Sequence, residues 1–297
     1  MAAQAYATEF HEAAASGSDK VGEAGSLLER FASLTREDPQ QALRNRCAAQ
    51  LLEAAARSIA AGTATPKALL VDVGSAVGRD VSSWRVQADA AGLALDQLDL
   101  LGVELLPPLV EKATADHPSC RFITGDAAAL PLDTGTADGV HCSRLLIHAP
   151  DPAKAIDEMV RVLRPGGFGA IEEGDFACNS FLSSDARVNA VFRAINDATI
   201  LKLANPHAAR VAHTLLLARD DVENVVLESG PFCILDMEVL DPGLVYMQKN
   251  LTALVESATV TQEDADHYVE CVRNAPRVGE PVTASLIFKI TFTKKQT

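Results

Sequence analysis

The chain has 297 residues, of which 48% are hydrophobic and 22% charged, and a formal net charge of −14. This acidic balance argues against nucleic acid and anionic membrane as partners, because phosphate-rich surfaces are bound by basic patches. The composition is that of an ordinary globular protein, not a disordered one. Alanine-rich apolar content with only 5% aromatic residues favours packed helices over an all-β sandwich.

Residues 1–20, MAAQAYATEFHEAAASGSDK, carry Glu9 and Glu12 and lack the basic start and apolar centre of a secretory signal. They read as loosely ordered. From Leu27 to Ala61 apolar residues recur at helical spacing, broken by DPQ at 38–40, which predicts two helices with a stop at Thr63–Pro66. LLVDVGS at 69–75 is a short apolar run entering a turn, as expected of a parallel strand covered on both faces.

The alternation then repeats. A helix is expected over 79–91, a strand over 98–104, a helix over 107–116, and strands over 120–124 and 137–142. A helix over 152–163 should stop at RPGG, where proline and two glycines oppose its continuation, and a strand follows over 168–173. Beyond 176 the pattern predicts helices over 183–203 and 207–228, a strand over 232–240, helices over 243–257 and 261–273, and a last strand over 285–294. Strands alternating with helices imply βαβ crossovers and a doubly wound, mostly parallel α/β sheet. The expected organisation is an N-terminal helical cap (1–65), a ligand-binding core (66–176), and a C-terminal region (177–297) of lid helices plus the last two strands.

The six cysteines, at 47, 120, 142, 178, 233 and 271, are never closer than 22 residues, so no CxxC or zinc-ligand spacing exists. They read as reduced thiols, and no metal site is expected. No apolar run reaches the roughly 18 residues of a membrane span. The expectation is a soluble, cytoplasmic protein.

In a doubly wound sheet, ligands bind at the carboxyl ends of the strands, near the switch in strand order. The first such turn is Asp72-Val-Gly74-Ser75-Ala76-Val-Gly78, whose glycines permit a tight turn and close approach of backbone to ligand. Glu104 ends the second strand, where a carboxylate can accept both ribose hydroxyls of a nucleoside. Asp126, in TGDA after the third strand, can accept an adenine amine.

These segments resemble the class I S-adenosylmethionine (SAM)-dependent methyltransferases, in particular the small-molecule branch that includes the ubiquinone/menaquinone-biosynthesis type. The resemblance covers roughly 66–176. It rests on LLVDVGSAVGRD, LLGVELLPPLVEKA, FITGDAAALPL and DGVHCSRLLIHAPDPAKAIDEMVRVLRPGGFGAIEE, the last being the most specific. It implies a Rossmann-like seven-stranded sheet and SAM as cofactor, released as S-adenosylhomocysteine (SAH). By the same resemblance Gly74, Ser75 and Gly78 lie against the methionine and ribose of the cofactor, and Asp72 contacts its amino group directly or through water. Glu104 holds the ribose, Leu105 packs on the adenine, Asp126 and Ala127 frame its edge, and Ser143 and Arg144 line the methionine end. The family's middle glycine is Ala76 here.

His148, five residues after Ser143, is a candidate base or substrate-orienting group, or else a cap of the following turn. Asp175, in EEGDF after the fifth strand, is the second catalytic candidate and is expected to face the acceptor pocket. His207, His213 and His267 read as ordinary helix histidines. The function expected is methyl transfer to O, N or C of a metabolite, with a homodimer compatible and nucleic acid not expected. Two alternatives stay open. A SAM-fold protein without methyl transfer draws support from Ala76. An NAD(P)-dependent oxidoreductase is opposed by GSAVGR at 74–79 in place of GxGxxG and by the lack of a Tyr-x-x-x-Lys pair.

Overall fold

The computed structural model describes residues 41–64, 66–179, 183–234, 250–278 and 283–296. Its helices include α1 (Gln41–Ala60), α2 (Arg79–Ala90), α3 (Pro107–Asp116), α4 (Pro152–Val162), α5 (Ala186–Ile200), α6 (Ala208–Leu217) and α7 (Gln262–Val278). Its strands are β1 (Ala68–Val73), β2 (Leu98–Glu104), β3 (Arg121–Thr124), β4 (Ala137–Ser143), β5 (Leu163–Gly174), β6 (Val222–Ile234) and β7 (Thr283–Lys294). They form one seven-stranded sheet in the order β3-β2-β1-β4-β5-β7-β6. β1 to β5 run parallel, and β7 is antiparallel to both its neighbours. The chain builds outward from β1 to β3, then returns to place β4 on the other flank of β1. That reversal is the switch point.

Helices cover both faces, which is why the central strands are nearly continuous apolar runs. On one face Leu51 and Ala55 of α1 and Val81 and Trp84 of α2 pack on Leu70, Leu98 and Leu100. On the other, Ile156 and Met159 of α4 and Ala212 and Leu216 of α6 pack on Val71, Val140 and Ile171. A separate apolar cluster joins α5 (Val188, Phe192, Ile195) to Leu251 and to Tyr268 and Val272 of α7. Among the described residues no helix is long and apolar enough to cross a membrane.

Local chemistry accounts for the boundaries. Asp151 caps α4 by accepting the Lys154 N–H at 3.0 Å, with Pro152 in the first turn, where its missing N–H costs nothing. The helix ends at Val162, and RPGG then lies inside β5 rather than in a loop before it. A register shift between Ala137 and Gly139, together with Gly166 at φ 74, absorbs this irregular start.

The expected helix over 207–228 is corrected to α6 ending at Leu217 and a strand from Val222. Val225, Val226 and Leu227 favour extended backbone, and pairing with β7 outweighs any helical periodicity there. A bulge at Asn224, φ 55, is accommodated in this edge strand. The expected helix in 27–37 and the strand residues 235–240 lie outside the described residues.

Candidate functional site

The turn after β1 requires glycine at two positions. Gly74 and Gly78 have φ of 75 and 80, a left-handed conformation that L side chains rarely adopt. A Cβ on Gly74 would stand 2.9 Å from Leu145 Cδ1, and one on Gly78 would stand 2.5 Å from Phe122 Cζ. Ala76 is also left-handed, at φ 47. Its methyl does not open the turn, which is tied to the end of β2 by three hydrogen bonds. Gly74 and Ser75 donate N–H to the Val103 carbonyl at 2.8 and 3.1 Å, and Ala76 donates to Glu104 Oε2 at 3.0 Å.

Glu104 is the hub of this assembly. Its Oε1 accepts the Leu106 N–H at 3.0 Å, and its backbone carbonyl accepts from Gly125 at 2.9 Å. Burial pushes its carboxyl up from the usual range, partly opposed by the N–H groups of Leu106, Ala76 and Leu105. Each carboxylate oxygen retains a further acceptor direction. Next along, Asp126 Oδ1 accepts the Ala128 N–H at 2.8 Å, closing a small turn in which half-buried Ala127 packs against the core. The turn after β1, the end of β2 and the start of the loop after β3 therefore form one hydrogen-bonded rim, with Leu105 half-buried beside Glu104.

Across the switch point, β4 brings up Ser143 and Arg144. Arg144 is left-handed at φ 53 and donates its N–H to the Glu172 carbonyl at 2.8 Å. Ser75 Oγ and Ser143 Oγ are buried hydroxyls with no hydrogen-bond partner among the described residues. Such orphaned groups cost about 1–3 kcal/mol each, a cost a polar ligand at the strand ends would remove. That fits a nucleoside-type cofactor at these residues.

Asp72 is buried and bonded to His141 Nδ1 at 2.8 Å. Burial pushes its carboxyl up to about 6 against the opposing hydrogen bond and charge of His141. The loop carrying His148 is braced from two sides. Glu173, fully buried, accepts the Leu146 N–H, and Asn205 donates to the Leu146 and Ala149 carbonyls. His148 itself is half-buried and donates its backbone N–H to the Leu145 carbonyl at 2.9 Å. Burial holds the Glu173 carboxyl up at about 8, despite the N–H groups of Leu146, Leu145 and Ile147 and the charge of Arg144.

Asp175 is 1% exposed and already committed. Its oxygens take the Arg210 guanidinium and, at 3.0 Å, His207 Nδ1, while Oδ1 also accepts the Ala177 N–H at 2.9 Å. Burial pushes its carboxyl up, but the Arg210 and His207 hydrogen bonds win and hold it below its ordinary value.

Sequence reading did not single out His141, Glu173, Asn205 or Arg210. For Glu173 the signal was present: two consecutive acids inside an apolar strand must bury at least one. The other three acquire their partners only through folding, from residues 35 to 69 positions away.

Residues 71–171 match the family model described as a methyltransferase domain. Over 70 residues the chain is 39% identical to an uncharacterized methyltransferase of Mycobacterium bovis, covering 24% of this chain and 28% of that one. Over 104 residues it is 33% identical to demethylmenaquinone methyltransferase of Renibacterium salmoninarum, covering 35% and 40%. The matched stretch thus spans well under half the length of these curated relatives. A solved protein of Bacillus halodurans C-125, named as a candidate methyltransferase, shares the fold with a TM-score of 0.50 at 14% identity, over 84% of this chain and 99% of that one. The rim of glycine turn, Glu104 and Asp126 lies within the matched stretch, and residues 71–171 are a methyltransferase domain of the class I SAM-dependent kind.

Proposed function

We propose that the chain transfers a methyl group from SAM to a small-molecule acceptor. The observation that carries this reading is the hydrogen bond from Ala76 N–H to Glu104, which places a buried carboxylate against a glycine turn at the switch point of the sheet. When bound there, SAM supplies an electrophilic methyl group on a positively charged sulfur.

The chain's own part is largely positioning, which is where an in-line displacement gains most. Glu104 accepts the ribose hydroxyls, and Gly74, Ser75 and Gly78 let backbone approach the cofactor closely. Leu105 packs on the adenine, Asp126 and Ala127 meet its edge, and Ser143 and Arg144 border the methionine end with Asp72 beneath. His148 stands on the loop after β4, where it takes a proton from an acceptor that must lose one. Asp175 enters this reading as an anchor that ties the end of β5 to α6 through Arg210, since its charge is already neutralised.

The demethylmenaquinone methyltransferase relative supports a metabolite acceptor, and the net charge of −14 disfavours nucleic acid. The domain reading keeps 1–65 as a cap, 66–176 as the cofactor core and 177–297 as the acceptor-selecting region, in a cytoplasmic enzyme that can pair as a homodimer. Titration calorimetry with SAH and NADH, followed by a methyl-transfer screen over metabolites, tests the proposal. SAH binding with turnover supports it, and NADH binding without SAH binding overturns it. A second reading, SAM binding without transfer, draws on the left-handed Ala76 in place of glycine. It predicts SAH binding with no acceptor in any class.

A further inference from the structure

Five ionisable side chains line one face of the sheet across five adjacent strands. Asp72 on β1 is the register partner of His141 on β4, Glu172 on β5 that of Lys289 on β7, and Lys289 that of Glu228 on β6. The two halves meet where His141 Nε2 lies 3.8 Å from Glu172 Oε1. Acidic and basic side chains therefore alternate along the row. Only Glu228, at the edge strand, is open to water, its side chain 50% exposed beside a Lys289 that is 1% exposed.

His141 sits in the dry part of this row. Its ring meets Trp84 of α2 edge-on at 5.5 Å, which restricts its rotation. The groups around it are Asp72 and Glu172 on its two nitrogens, Cys47 from α1 and Asp80 from α2, with Lys289 and Glu104 at longer range. Cys47 is a buried thiol pushed far up, so it stays neutral. A lone carboxylate this deep would hold its proton. With a cation held against it by the His141 contact, the Asp72 carboxylate can stay ionised.

We propose that His141 is a positioning residue for cofactor binding. Held as an imidazolium between Asp72 and Glu172, it keeps the Asp72 carboxylate charged two residues ahead of Gly74, where that charge meets the ammonium of a bound amino-acid moiety. The proposal rests on reading the glycine turn as a SAM site. Burial by itself would lower the His141 ring's affinity for its proton, but the hydrogen bond to Asp72 and the nearby charges of Asp72 and Glu172 overcome this and raise it to about 10. His141 therefore holds its second proton throughout the physiological range.

Two measurements test this. In the ¹⁵N-histidine-labelled wild type, NMR should show one imidazole doubly protonated at about pH 8.5, whereas exposed imidazoles have lost that proton by then. Asp72→Asn should move that imidazole's titration to lower pH. SAH affinity of the wild type should change little between about pH 7 and 9, above the Asp72 value of about 6. In His141→Gln it should fall about tenfold per pH unit below the point where the unsupported Asp72 takes a proton, and recover toward pH 9.

A merely structural histidine gives a loss in His141→Gln that is the same at every pH, and this overturns the proposal. So does a wild type with every imidazole neutral at pH 8.5, a result that needs no variant to fold. A wild type that binds no SAH at any pH overturns the cofactor reading itself, a failure distinct from that of the His141 role.

Discussion

The backbone N–H of Ala76 donates to Glu104 Oε2 across 3.0 Å, so the turn after β1 and the last residue of β2 act as one unit. A carboxylate fixed by backbone on one side presents its remaining lone pairs to a ligand with little reorganisation. This is the physical basis of the cofactor reading, and it can be tested at both residues.

Glu104→Ala removes the ribose acceptor and releases the Ala76 and Leu106 N–H groups. SAH affinity measured by calorimetry should drop about 10- to 150-fold, the equivalent of losing about 1.5–3 kcal/mol of hydrogen bonding to a charged group. Glu104→Gln should fall between wild type and Ala, because its amide NH₂ cannot accept one of the two N–H groups. An unchanged affinity in Glu104→Ala would remove the ribose assignment.

At Ala76 two effects oppose each other. The left-handed φ of 47 strains an alanine by about 1–2 kcal/mol, while glycine adds about 0.4–1 kcal/mol of unfolded-chain entropy. Ala76→Gly should therefore leave Tm within about 4 °C of wild type and SAH affinity equal or slightly better. Ala76→Val, β-branched in a left-handed turn, should lose stability by clearly more. Thermal unfolding of both variants decides the matter, and a large drop for glycine would mean that the alanine methyl packs productively.

Glu173 makes stability depend on pH with the opposite sign to an ordinary carboxylate. Its folded pKa is raised to about 8 by burial, so its contribution is complete below the unfolded value of about 4.3 and is lost as pH rises through 8. Glu173→Gln keeps an acceptor for the Leu146 N–H and cannot ionise. The variant should unfold close to wild type at about pH 5 and at least about 5 °C higher at pH 9. Parallel curves at both pH values would place Glu173 in a wetter setting than its burial indicates.

His148→Ala should lower turnover by about 10²–10⁴-fold for an acceptor that must be deprotonated, with SAH affinity nearly intact. His148→Gln should restore acceptor binding but not rate. A turnover loss smaller than tenfold, with circular dichroism unchanged, would reduce His148 to a brace of the loop that Glu173 and Asn205 already hold.

Much of this protein is legible in local sequence. The positions of β1 to β5, α2, α3 and α4, the glycine turn and the strand-end acids Glu104 and Asp126 follow from apolar periodicity, helix caps and turn residues, all short-range signals. Periodicity failed at 222–228, where pairing with β7 decides between helix and strand, and at RPGG, which a bulge admits into β5.

Only the tertiary structure decided which charges meet. Asp72, His141, Glu172, Lys289 and Glu228 are spread over 218 positions of sequence (72 to 289) and fall in one row because the strand order runs β1-β4-β5-β7-β6. Sequence position alone assigns Asp175 to the acceptor pocket, yet Arg210, 35 residues later, takes its charge. A side chain's type is fixed by the chain, but the dielectric and the partner that set its protonation are properties of the fold.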